Sequence, residues 1–181
     1  MTRIVSGRWG GRRLRTPKGD GTRPTSDRVR EAMFSSLESM LGGFEDVRVL
    51  DLFAGSGALA LEALSRGALG ADLVESDRRA AAVVAANIRE LSADARLHRT
   101  TAQRFVAGEE TNEYDLVFLD PPYATTTDEI HELLRTLRRQ DCLTHGLAVV
   151  ERSSRTPFTW PDGFEAVRDK AYGETHLWYG R

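Results

Sequence analysis

The stretch VRVLDLFAGSGALALEALSRG, residues 47–67, passes from a short apolar run through a glycine loop into an apolar helical pattern. Val47–Phe53 has the side chains of a buried strand, interrupted by one carboxylate, Asp51. Ala54, Gly55, Ser56 and Gly57 follow, then a helix over Ala58–Arg66 that Gly67 stops. Working outward, strands and helices keep alternating. Ala71–Glu75 reads as a second strand, and Asp77 caps a helix with Ala80, Val84, Ile88 and Leu91 on one face. Ala95–Thr100 is a third strand and Tyr114–Asp120 a fourth, of buried type. Thr126 and Glu129 form a capping box ahead of Ile130, Leu133, Leu134 and Leu137 at helical spacing. Leu147–Arg152 is a fifth strand, and Phe164–Gly180 reads as a hairpin around Gly173–Glu174. Upstream, Thr25 and Ser26 offer N-caps to a helix that aligns Val29, Met33, Leu37 and Leu41 and stops at Gly42–Gly43. The alternation predicts an α/β fold, a parallel sheet covered on both faces. The final hairpin places one antiparallel strand at or near its edge.

The whole chain has 181 residues, 40% hydrophobic and 29% charged, which suits one ordinary globular domain (residues 25–181) with an N-terminal appendage (residues 1–24). That appendage, rich in glycine and proline, reads as irregular or hairpin-forming. No apolar run nears the ~18 residues that span a bilayer, no signal-peptide h-region is present, and the single Cys142 forms no internal disulfide. The expectation is a cytoplasmic protein. The net charge of −2 conceals an asymmetry: residues 3–30 hold nine basic and two acidic residues, +7, leaving −9 for the rest. A basic arm on an acidic body fits a polyanionic partner. It equally fits a solvated arginine-rich loop, since only two of the 25 basic residues are lysines and arginine is abundant throughout.

The glycine loop sits where open α/β sheets bind ligands, at the carboxyl ends of the strands. Its glycines let the backbone turn and come close to a ligand. Glu75 ends the next strand, where its carboxylate can accept hydrogen bonds from ribose hydroxyls. A nucleoside cofactor follows, but two are possible. Gly55-Ser56-Gly57-Ala58-Leu59-Ala60, with Glu75 twenty residues after Gly55, also matches the dinucleotide fingerprint. Asp51 argues against NAD, because a carboxylate beside the loop repels a pyrophosphate. S-adenosylmethionine carries an ammonium and a sulfonium instead. A tight turn that binds nothing is the plain alternative.

The fourth strand runs directly into Asp120-Pro121-Pro122-Tyr123. Two prolines there remove two N–H donors and stiffen the chain, which packing does not require. Chemistry gives a reason. The lone pair of an exocyclic amine on a nucleobase is delocalised into the ring. Two acceptors directed at its hydrogens, the Asp120 carboxylate and the Pro121 carbonyl, localise that pair toward a methyl donor. Tyr123 can stack on the base. Orientation and electrostatics then suffice without a metal, and the base must be unpaired or flipped.

These segments resemble one family. RIVSGRWGGRRLRTP and TRPTSDRVREAMFSSL are similar to the N-terminal region of the bacterial 16S rRNA guanine-N2 methyltransferases of the RsmD type; DLFAGSGALALEALSRGA and FLDPPY are similar to their cofactor and catalytic motifs. The likeness spans nearly the whole chain and is weakest at 95–113 and 150–181. It implies a Rossmann-like class I methyltransferase with strand order 3-2-1-4-5-7-6 and one antiparallel strand. It also implies S-adenosylmethionine as donor, and a guanine of 16S rRNA, in the small ribosomal subunit or an assembly intermediate, as target. A monomer is expected. Carried over by position, Asp51, Gly55 and Gly57 hold the methionine part of the cofactor, with Phe53, Ala54 and Ser56 beside them. Glu75 and Ser76 serve the ribose, and Ala102 and Gln103 the adenine, though TTAQRF offers no acid where the family often has an acid-like or small polar contact. Arg23 and Thr25 close over cofactor or substrate. Asp120, Pro121, Pro122 and Tyr123 are catalytic; some members have Phe in place of Tyr123. Arg3, Arg8, Trp9, Arg12, Arg13 and Arg15 contact RNA.

Other residues carry less. His98, His131, His145 and His176 lack metal-ligand spacing and read as surface or strand residues. Cys142 near His145 is poor evidence for a nucleophile pair. Trp160, Trp178 and Tyr179 read as packing. The competing functions are another amino methyltransferase acting on DNA or RNA adenine or protein glutamine, an NAD oxidoreductase, and a non-catalytic RNA-binding module. Glutamine enzymes usually carry Asn where this chain has Asp120, and DNA enzymes usually add a recognition domain.

Overall fold

A computed structural model describes residues 2–17, 26–108 and 112–181. In chain order the elements are β1 (Thr2–Arg3), β2 (Arg13–Leu14), α1 (Asp27–Leu41), β3 (Arg48–Asp51), α2 (Ala58–Ser65), β4 (Gly70–Val74), α3 (Arg78–Leu91) and β5 (Ala95–His98). They continue with α4 (Ala102–Val106), β6 (Leu116–Leu119), α5 (Thr127–Arg139), β7 (Leu147–Ser153), β8 (Ala166–Tyr172) and β9 (Thr175–Gly180). One sheet has the order β5-β4-β3-β6-β7-β9-β8, with β9 alone running against its neighbours. Counting only its own seven strands, that is 3-2-1-4-5-7-6, the Rossmann-like order implied by the resemblance. The antiparallel strand lies one in from the edge, and β8 forms the edge itself.

Expected and observed elements agree in kind and differ at their ends. The first apolar run is a strand only to Asp51, because Leu52 and Ala54 turn their N–H groups to Phe118 and Val74 carbonyls on flanking strands. The fourth strand starts at Leu116, since Tyr114 pairs with the Cys142 carbonyl instead. α4, five residues long, leaves no mark in the sequence pattern; Thr101 is its N-cap and accepts from the Arg104 amide.

Each face of the sheet has its own core. On one lie Met33, Phe34 and Leu37 of α1, the leucines of α2, and Val84 and Leu91 of α3, against Val49, Phe118 and Val149. On the other, Ile130, Leu133, Leu134 and Leu137 of α5 cover Leu50, Val117, Leu119 and Val150. Full burial of each such side chain contributes about 1.5–3 kcal/mol. The capping box predicted for α5 is present in both directions.

The β1–β2 hairpin is not a free arm. Ile4 and Leu14 are in the core. Glu62, in the middle of α2 and 0% exposed, accepts from the amides of Val5 (2.6 Å) and Ser6 (3.0 Å) and from Arg66 Nε (2.9 Å). Ser65 Oγ donates to the Ser6 carbonyl and accepts from the Trp9 amide. Gly7 passes so close to α2 that a Cβ there would sit 1.9 Å from the Ser65 carbonyl oxygen. Farther on, buried Asn87 of α3 accepts from the Arg15 amide and donates to the carbonyls of Arg15 and Ser56, tying the hairpin's exit to the glycine loop. No helix among the described residues is long and apolar enough to cross a membrane.

Candidate active site

The parallel strands end together, and their carboxyl ends open into a cavity of about 580 Å³. Its walls bring together ten of the sixteen catalytic and cofactor residues the sequence singled out: Phe53, Gly55, Glu75, Ser76, Ala102, Gln103, Asp120, Pro121, Pro122 and Tyr123. Two motifs more than sixty positions apart in the chain thus share one space, because β3 and β6 are hydrogen-bonded neighbours in the sheet.

Glu75 is held by both loops around it. Its Oε2 accepts from the Gly55 amide (2.9 Å) and its Oε1 from the Asp77 amide (2.8 Å). A carboxylate oxygen has two lone pairs, so each retains an acceptor position. Asp77 caps α3 by accepting from the Arg79 and Ala80 amides. Asp51 lies behind the wall at 1% exposure. Burial raises its carboxyl to about 7, with the Glu75 charge adding to the shift and a hydrogen bond from the Phe53 amide opposing it. Asp120 is also pushed well up, by burial first and then by the carboxylates of Glu151 and Asp51. A cavity backed by such carboxyls suits a cationic ligand.

The glycine loop divides its labour. Gly55, at φ +59°, lines the cavity. Gly57 lies instead against the core at φ +82°, where a Cβ would come within 3.2 Å of Leu73 Cδ2 and 3.3 Å of Leu61 Cδ1. The Ala54 carbonyl accepts from the Gly57 amide and the Ser56 carbonyl from Asn87, so these positions hold the loop's shape. Tyr123 stands at the cavity with 73% of its surface exposed, a ring free to receive a planar partner. Arg23 and Thr25 lie outside the described residues.

The basic candidates lie on the hairpin, outside the cavity-lining set, although Pro17 at the hairpin's exit reaches the cavity wall. Arg12 and Arg13 are exposed. Arg8 lies 4.0 Å over the half-buried Trp9 ring. Arg3 pairs with Asp27 and Arg15 with Glu90. Arg30, counted in the +7, is 1% exposed and bonds Asp27 and the Arg3 carbonyl, so it is structural. Among the weaker candidates, His98 pairs with Asp72, His176 with Asp169, and His131 with the Thr159 carbonyl. Cys142 and Tyr179 are buried, and Trp160 packs between Phe158 and Phe164.

Sequence reading missed several wall residues: Thr100 and Thr101 after β5, Glu151, Arg152 and Ser153 at the end of β7, and Glu174 and Thr175 in the last hairpin turn. Only the carboxyl-end rule could have pointed to the β7 group; Gly173–Glu174 marks the hairpin turn in the sequence, but nothing local marks it as part of the cavity wall.

The model of the family described as conserved hypothetical protein 95 matches residues 2–181. The Escherichia coli K12 protein named ribosomal RNA small subunit methyltransferase D is 46% identical over 122 residues, which cover 67% of this chain and 60% of that relative's length. The Haemophilus influenzae protein of the same name is 31% identical over 176 residues, 94% of this chain and 89% of its own. Among solved structures, the Escherichia coli protein yhhF superposes with a TM-score of 0.85 at 35% identity, over 98% of this chain and 96% of that one.

Proposed function

Because the chain belongs to the family described as conserved hypothetical protein 95, the RsmD methyltransferases, we propose that it methylates N2 of a guanine in small-subunit ribosomal RNA, with S-adenosylmethionine as donor. The observation that carries this reading is the single cavity shared by the glycine loop, Glu75 and the Asp120–Tyr123 tetrapeptide. The carboxyls fit the donor's charge. Buried Asp51, raised to about 7, is relieved by a nearby ammonium, whereas a pyrophosphate would aggravate it.

When bound, S-adenosylmethionine supplies an electrophilic methyl group on a positively charged sulfur. The chain's own residues do the rest. Glu75 accepts from the ribose hydroxyls. Ala102 and Gln103, on the cavity wall, would hold the adenine, and Asp51, through the loop of Phe53 to Gly57, would serve the methionine end. Tyr123 stacks on the flipped guanine. The Asp120 carboxylate and the Pro121 carbonyl accept the two N2 hydrogens and turn the nitrogen lone pair toward the methyl carbon. Transfer would replace the donor's carbon–sulfur bond by a nitrogen–carbon bond, and Asp120 would take the proton released from N2 and pass it to water. Holding the two centres in line is the main contribution. The hairpin, with Arg8, Arg12 and Arg13 exposed, Trp9 half-buried beside Arg8, and Arg3 and Arg15 in exposed ion pairs, meets RNA phosphates.

Calorimetric titration with S-adenosylmethionine and with NAD tests the cofactor, and Asp120→Ala tests the chemistry. The first ligand should bind and the second should not. The variant should keep donor binding and lose methyl transfer to small-subunit particles by at least about 100-fold. Binding of NAD alone, or undiminished transfer by the variant, would defeat the proposal.

A further inference from the structure

β7 ends in the same cavity as Asp120, and what it brings there has no part in the chemistry above. Leu119 of β6 pairs in parallel register with Val150 of β7. The next residues, Asp120 just past the end of β6 and Glu151 within β7, therefore stand side by side, and both line the cavity. Two positions earlier, Phe118 and Val149 are register partners packed in the same core cluster. By the two-residue period of a strand, Asp120 and Glu151 share that face of the sheet. The Glu151 charge is also the largest electrostatic contribution, after burial, to the upward shift of Asp120. As charged groups two neighbouring carboxyls repel; they can share a proton, or a ligand that presents two neighbouring donors can bond to both.

Guanine presents such donors. Its ring N1–H adjoins its N2 amino group, whereas the amino groups of adenine and cytosine adjoin a bare ring nitrogen, which a carboxylate repels. We propose that Glu151 is a specificity-determining residue that accepts the N1–H of the target guanine while Asp120 accepts from its N2 amino group. This rests on the reading of the site as a guanine-N2 methyltransferase. It goes beyond that reading by locating the choice of base on β7, outside both sequence motifs. A site built to bond a donor rejects an analogue lacking it far more strongly than an apolar pocket rejects a change of size.

The test uses the whole protein and small-subunit particles assembled with guanine or 2-aminopurine at the methylated position. The analogue keeps the N2 amine and lacks N1–H. Wild type should prefer guanine in kcat/KM by about 100-fold or more. Glu151→Gln, which keeps the side-chain size and can turn an amide N–H toward a bare N1, should lose about 10- to 100-fold on guanine. The same variant should narrow the preference by at least about tenfold, with donor affinity unchanged. Glu151→Ala should narrow the preference in the same way if glutamine disturbs the strand end. An equal loss on both templates, or weakened donor binding with the preference intact, would overturn the role of Glu151 and leave the functional reading standing. A wild type that methylates neither template would overturn that reading and this inference with it.

Discussion

Replacing Glu62 by Gln should be among the most damaging single-atom changes the chain can suffer, although it lies outside the candidate site. The Glu62 carboxylate is 0% exposed and takes three donors: the Val5 amide at 2.6 Å, the Ser6 amide at 3.0 Å and Arg66 Nε at 2.9 Å. A fourth, the buried Arg30 Nε, stands 4.0 Å away. A glutamine has one acceptor oxygen and points an NH2 group at the remaining donors. Removing one partner of a buried ion pair costs about 3–5 kcal/mol. In a chain of this size that corresponds to a fall in Tm of roughly 6–20 °C. Urea denaturation should show the lower midpoint, and limited proteolysis should cut the hairpin between Val5 and Arg13 sooner than in wild type. Glu90→Gln, which breaks only the exposed pair with Arg15, should leave the midpoint where it is. A loss below about 1 kcal/mol for Glu62→Gln, the range of exposed pairs, would refute the claim that this carboxylate clamps the hairpin to α2.

The two loop glycines should separate stability from ligand binding. Gly57→Ala meets both a positive φ and close neighbours, costing about 2–4 kcal/mol by denaturation, whereas Gly55→Ala, with open space around it, should cost only about 1 kcal/mol and mainly weaken donor binding in calorimetry. Asp51 sets a pH dependence. Its carboxyl rises from 3.8 unfolded to about 7 folded, so the folded chain holds a proton the unfolded chain has already released, and ligand-free stability should fall as pH rises from about 4 to about 7. Asp51→Asn should flatten that slope. Affinity for the cationic donor should move the other way, strengthening as pH rises through about 7, with proton release seen when the titration is repeated in buffers of different ionisation enthalpy. Replacing Arg12 and Arg13 together by Ser should weaken binding to small-subunit particles and reduce the log–log salt slope by about one for each phosphate these arginines neutralise; an unchanged slope would remove them from the interface.

The legible parts of the fold were those written in local pattern. Val29, Met33 and Leu37, the capping box at Thr126 and the leucines of α5 each specify a helix and its buried face within a dozen residues. The glycine loop and the Asp120–Tyr123 tetrapeptide announce chemistry because no packing need explains them. What escaped was tertiary. Glu62 and Arg30 look like the surface charges of two helices, and only the docked hairpin makes them interior. Gly57 reads as a ligand-binding glycine; that a side chain there would meet Leu61, Leu73 and Val84 is not legible in the sequence. α4 is too short to leave a periodic signal. Glu151 reaches the site solely because β7 lies beside β6, and Glu174 and Thr175 because β9 folds back along β7.

The proposed reaction is methyl transfer to a guanine amino group of small-subunit rRNA. Its most direct measurement is incubation of the purified protein with labelled S-adenosylmethionine and small subunits from a methyl-deficient strain, followed by nuclease digestion and mass spectrometry of the labelled nucleoside. Label should appear in N2-methylguanosine at one site. Label in methyladenosine, in protein, or in DNA supplied as competitor would contradict it.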